Sequence, residues 1–178
     1  MKMFNTALVK YGIEEEESDY RAHVSAVTKT VFVFETQRAV EYIETSASCL
    51  RQREAWTGDI KTAQGYIISP NEIPSMLEFE IPDDLIPPMG LIRRWSTSDK
   101  GVWAVNVVKN MFLMGLIRLP LIAMDVTDAD LQIRGTDLII SPRFKIQVKC
   151  DLKAGKTELG GTGNLYIQTH ECNPYRMR

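Results

Sequence analysis

Residues 135–151 read GTDLIISPRFKIQVKCD, and the reading of this stretch decides the rest of the chain. Thr136 to Ile140 reads as a strand, Ser141–Pro142–Arg143 supplies turn residues, and Phe144 to Lys149 reads as a second strand. Period two on that second strand puts Gln147 and Lys149 on one face and Val148 on the other. If the strands pair as a hairpin, Asp137 approaches the face of Gln147 and Lys149. A carboxylate, an amide oxygen and an ammonium then converge. Phosphodiester hydrolysis uses such a set: oxygen ligands hold Mg²⁺, and a lysine stabilises the charge that builds on phosphorus.

Upstream, Ser98 is a candidate N-cap with Asp99 in the first turn. Val102, Val105, Val108, Phe112 and Ile117 then recur at near-helical spacing, which predicts a helix to about Ile117. Downstream, Gly155 to Gly163 reads as a loop and Asn164 to Thr169 as a third strand. The order helix, strand, turn, strand, loop, strand predicts an α/β fold with a small mixed central sheet flanked by helices.

The first half is less legible. Ala26 to Phe34 reads as a strand, Thr36 to Arg53 as a helix weakened by Thr45 to Ser48, and Gln64 to Ser69 and Ser75 to Ile81 as short strands. Five prolines between Pro70 and Pro88 exclude a long helix there. Pro87–Pro88 with Gly90 marks the best junction, giving residues 1–90 as an N-terminal extension or small lobe and residues 91–178 as the core.

Composition narrows the classes. Of the 178 residues, 44% are apolar and 25% charged, as in an ordinary globular chain. A net charge of −2 argues against a basic nucleic-acid coat protein, but it permits a local basic patch. Three cysteines without CxxC spacing and two histidines argue against a disulfide framework or a zinc site. Met111 to Met124 is too short and too broken to span a bilayer, and no secretory leader is recognisable, so a cytoplasmic location without a membrane partner is expected.

The pieces Asp137 and Gln147–Val148–Lys149 resemble the PD-(D/E)xK nuclease superfamily, with an Asp on one strand and (D/E)xK on the next. The Gln variant is similar to that of Mrr-type restriction endonucleases. The helix KGVWAVNVVKNMFLMGLI resembles the first helix of Holliday-junction-resolvase-like members, and KCD followed by GTGNLYIQT is similar to phage and mobile-element members. The resemblance covers about residues 99–169. It implies a restriction-endonuclease-like fold and a Mg²⁺- or Mn²⁺-dependent nuclease acting on DNA, in the cytoplasm of the producing cell or of a phage-infected host. Asp137, Gln147 and Lys149 are then catalytic, and Asp137, Gln147 and the Val148 carbonyl hold the metal. A homodimer is the default, since two sites address two strands.

Other residues fill supporting roles. Thr162 and Asn164, with Arg93 and Arg94 beside Trp95, are candidate nucleic-acid contacts. Asp151 and Gln168 are auxiliary candidates, Asp151 on condition that the second strand continues that far. The chain departs from the family at three points. Thr136 stands where a proline is usual, Gln147 where Glu is usual, and Asn106 where many members carry an acid on the first helix. Two alternatives follow: a nuclease-fold protein that only binds nucleic acid, or an interaction protein with an accidental motif and an apolar surface built from Met111, Phe112 and Met114.

Overall fold

The computed structural model describes residues 18–54, 65–119, 126–128, 136–140, 144–152 and 165–168. Its centre is a six-stranded mixed sheet. The strands are β1 (Tyr20–Ser25), β2 (Thr30–Glu35), β3 (Gly65–Ile68), β4 (Leu77–Glu80), β5 (Val126–Asp128), β6 (Leu138–Ile140), β7 (Phe144–Cys150) and β8 (Leu165–Gln168). The sheet runs β4-β2-β1-β7-β6-β5, while β3 and β8 form a separate antiparallel pair. Every neighbour in the large sheet is antiparallel except β1 and β7, which are parallel. Three strands come from before residue 90 and three from after it, and the α/β architecture with a mixed sheet is as expected.

The helices are α1 (Thr36–Thr45), α2 (Ala47–Glu54), α3 (Met89–Ile92) and α4 (Thr97–Leu113). The helix expected over residues 36–53 is two helices, because Ser46 is extended at φ −71°, ψ 125° and breaks the run. The cap of α4 is Ser96 rather than Ser98: Asp99 N–H donates to Ser96 Oγ, and the Asp99 carboxylate answers to the Ser96 backbone. At the other end Gly115, at φ 69°, takes the left-handed turn that lets Leu116 N–H reach back to Met111 O.

Alternation on the strands sorts the core. Tyr20, Ala22, Val24, Val31, Val33, Leu138, Ile140, Ile146 and Val148 pack with α4 through Trp103, Ala104, Val107, Val108, Met111 and Phe112. The buried stripe of α4 is therefore rotated from the expected one: Val102 is exposed and Val105 only half-buried. The Trp103 ring ends in a donor, which finds Leu85 O at 3.0 Å. A second cluster, on the opposite face of β2, joins Phe32 and Phe34 to Ala39, Val40 and Ile43 of α1, and to Tyr66, Ile68 and Leu165.

The strand expected over residues 26–34 begins too early: residues 26–29 are the hairpin turn between β1 and β2, with Lys29 at φ 52°, and the strand starts at Thr30. Strand β5 was not expected at all. Among the described residues no helix is long and apolar enough to cross a membrane.

The packing yields a test of the interaction-protein alternative. Met111 and Phe112 are buried, and only Met114 of that trio is exposed. Met111→Ala is expected to cost about 2–5 kcal/mol in urea unfolding with an unchanged m-value. A side chain on a partner surface would change stability by no more than about 0.5 kcal/mol.

Candidate active site

Strand β7 carries the centre of the site. Its residues Ile146 and Val148 face α4, so Gln147 and Lys149 face the other way. Strand β1 lies beside it in parallel register, with Arg21 opposite Gln147 and His23 opposite Lys149. Since Ala22 and Val24 point into the α4 core, Arg21 and His23 share the face of Gln147 and Lys149.

Asp137 immediately precedes β6 and grips the β7 backbone on both sides of Gln147. Its N–H donates to Ile146 O at 2.8 Å, and its Oδ2 accepts from Val148 N–H at 2.7 Å. A carboxylate bonded to a backbone N–H is a strong, charge-assisted contact that fixes its direction. The sequence reading expected Asp137 to approach the face of Gln147 and Lys149, and the structure brings it beside Gln147. It was not legible that one carboxylate oxygen would be engaged by Val148.

Asp151 joins as well. Its N–H donates to Val24 O at 2.9 Å, so the ladder with β1 runs one residue past β7. Two residues beyond Lys149, its carboxylate therefore reaches the same face, with Oδ2 3.8 Å from His23 Nδ1. The ends of β7 are thus both secured to the N-terminal hairpin, because Lys145 N–H donates to Asp19 Oδ2 at 2.8 Å.

The site is partly enclosed. Gln147 is 7% exposed and His23 1%, while Asp137, Lys149 and Arg21 are half-buried. The His23 ring lies against Phe34, with centroids 5.4 Å apart, where the second apolar cluster abuts the polar residues. Burial holds the His23 imidazole below its ordinary range. The Asp151 carboxylate opposes that shift, and Arg21 and Lys149 reinforce it. Cys150 points to the α4 side, and burial pushes its thiol up to about 11, which removes it as a nucleophile.

Several expected residues stand elsewhere. Asn106 lies on the exposed side of α4, and α4 covers the apolar face of the sheet, so Asn106 does not join Asp137. Arg93 and Arg94 are exposed in the turn before α4, with Trp95 packed at 6.5 Å from Trp103; they belong to the same apolar side. Thr162 and Asn164 fall outside the described residues. The backbone of Gln168 lies on β8, paired with Gly65. Arg21 and His23 were missed. The signal was present: in YRAHVS the polar residues 21, 23 and 25 alternate with apolar ones.

The donors expected for a divalent cation, Asp137, the Gln147 amide oxygen and the Val148 carbonyl, would all be hard oxygens of the kind Mg²⁺ takes. Among the described residues no three His, Cys, Asp or Glu side chains cluster as a metal group. No model of a known protein family, no curated protein and no solved structure matches this chain.

Two measurements check this geometry. Asp137→Ala leaves Val148 N–H without its acceptor and is expected to cost about 1–3 kcal/mol, whereas Asp137→Asn keeps an acceptor oxygen and costs less. The pH dependence follows from His23, whose folded value is depressed from about 6.5. Below that value the unfolded chain binds the proton first, so the stability contributed by the neutral ring is complete above about pH 6.5 and lost on acidification. The melting temperature is expected to fall between pH 7 and pH 5, and His23→Phe is expected to flatten that slope.

Proposed function

We propose that the chain is a metal-dependent nuclease that hydrolyses phosphodiester bonds in DNA, of the restriction-endonuclease-like kind that its motif resembles. One observation carries this reading: Asp137 is bonded to the β7 backbone on both sides of Gln147, two residues from Lys149 on the same strand face. The two halves of a D…QxK motif are thus adjacent: Asp137 stands at the start of β6, the antiparallel neighbour of the strand that carries Gln147 and Lys149. The run α4, β5, β6, β7 in chain order supports the same assignment.

Asp137, Gln147 and the Val148 carbonyl would hold Mg²⁺ or Mn²⁺. When bound, such an ion polarises the phosphate and acidifies a water. The chain's own groups do the rest. The Val148 N–H orients the Asp137 carboxylate. Lys149 meets the charge developing on the phosphoryl oxygens. Arg21, beside Gln147 on β1, adds a second cation that draws a phosphate to this face. A C2 dimer acting in the cytoplasm completes the proposal.

A second reading has specific support. Gln147 lacks the charge of Glu, and Asp137 Oδ2 is committed to Val148, which together favour a protein that binds nucleic acid through the same face without cutting it. Cleavage of labelled linear, single-stranded, branched and supercoiled DNA with Mg²⁺, Mn²⁺ or EDTA separates the two. The nuclease reading expects cutting that EDTA abolishes. It also expects Asp137→Ala and Lys149→Ala, each verified as folded, to reduce the rate by about 100-fold or more. Binding without cutting in every metal condition would sink the nuclease reading and establish the binding module.

A further inference from the structure

His23 is the most deeply buried ionisable side chain on the polar face, at 1% exposure. Neither ring nitrogen has a hydrogen-bond partner among the described residues. Leaving such groups unmet costs about 1–3 kcal/mol each, so a buried imidazole without partners calls for an explanation. Apolar packing against Phe34 does not supply one, since a phenyl ring would pack there without that cost.

The neighbours supply it. A neutral imidazole has one donor nitrogen and one acceptor nitrogen. Nδ1 faces Asp151 Oδ2 at 3.8 Å, and an ionised carboxylate only accepts. The proton therefore belongs on Nδ1, and Nε2 is left as a bare acceptor. The residue opposite His23 in the parallel register is Lys149, whose ammonium only donates. Arg21 also lies on this face of β1, but it stands opposite Gln147, two register pairs away.

We infer that His23 is a positioning residue for Lys149, through a relay in which Asp151 accepts from Nδ1–H and Nε2 accepts from the Lys149 ammonium. The relay rests on the nuclease reading for its purpose, which is to aim Lys149 at the phosphate. Its geometry does not depend on that reading. Neither bond of the relay is made in this structure: Nδ1 and Oδ2 stand about 1 Å beyond a charge-assisted hydrogen bond, a gap that a small rotation of Asp151, 20% exposed, closes, and the half-buried Lys149 side chain must turn toward Nε2, which has no donor within reach among the described residues. An imidazole fixed at both nitrogens has a single tautomer and orientation, and so does the lysine it holds.

The chain has only two histidines, His23 and His170, which makes the test clean. The full-length protein labelled with ¹⁵N-histidine, with His170→Gln to assign the signals, is read by long-range proton–nitrogen correlation at neutral pH. The expected spectrum for His23 is a protonated Nδ1 and a bare Nε2. Asp151→Asn is expected to shift the population toward the Nε2–H form, and Lys149→Ala to move the Nε2 signal while Nδ1 stays protonated. An Nε2–H ring in the wild type, or a spectrum indifferent to both substitutions, overturns the relay.

Cleavage kinetics add a second arm. His23→Phe is expected to lower kcat by about tenfold or more with KM little changed, and His23→Asn, which keeps a donor near the Nδ1 position, to restore much of the loss. Equal losses in both variants would refute a positioning role. If the protein cuts nothing yet shows the Nδ1–H form with the expected responses, the relay stands and the nuclease reading falls.

Discussion

The parallel seam between β1 and β7 is the constraint on which the rest of the molecule depends. Parallel neighbours cannot be joined by a tight turn, and these two strands are separated by more than half the chain. Their register pairs Tyr20 with Ile146 and Val24 with Cys150, so the apolar residues of both strands fall on the α4 side together. A slip of one residue would turn Arg21 and His23 into the α4 core and expose Ala22 and Val24. Core and candidate site are therefore two faces of one alignment. It is pinned at one end by Asp19 Oδ2 on Lys145 N–H and at the other by Asp151 N–H on Val24 O.

The opposite face of the sheet is divided rather than uniform. Over β2 it is apolar, with Phe32 and Phe34 under α1; over β1 and β7 it is polar. His23 stands on the border. Low-dielectric packing on one side strengthens every paired charge next to it and raises the cost of an unpaired one. The carboxylate of Asp137 lies level with Gln147 and Arg21, and that of Asp151 lies beyond Lys149 beside His23, so acids and bases alternate along the strip.

Much of this was legible in the sequence where the signal is local. The alternation of FKIQVKC, the apolar run at 138–140 and the helical stripe before it predicted β7, its partner β6 and α4, while the turn expected at Ser141–Pro142–Arg143 lies outside the described residues. A hairpin between the two strands was expected to bring Asp137 toward the face of Gln147 and Lys149, and the structure sets it beside Gln147, bonded to the β7 backbone. What failed was non-local or finely local. Ala26 to Phe34 hides a turn, because Lys29 at φ 52° can occupy the left-handed region without being glycine or asparagine. Two serines compete for the α4 cap, and only Ser96 has Asp99 at the third helical position. The pairing of β1 with β7 leaves no mark on either strand, so Arg21 and His23 could not be assigned to the site from the second half alone. Asn106 was placed by analogy of position on the helix, but the helix turns that residue outward.

A neutral amide at position 147 fits the burial of that position. At 7% exposure a carboxylate there would need a compensating charge at all times, whereas an amide keeps a hard oxygen donor at the cost only of satisfying its hydrogen bonds. On the nuclease reading, the negative charge that a divalent cation requires then comes from Asp137. Asp151 lies farther along the strand beside His23, and the two cations of the strip work against metal entry. A phosphate changes that balance: it adds charge and oxygen ligands together, and Mg²⁺ sites commonly complete their shell from substrate phosphates. Metal and nucleic acid would then bind with positive coupling, each raising the affinity for the other by the same factor. The neutral residue at position 147 is thus compatible with catalysis in a site that acquires its full charge only when the substrate arrives.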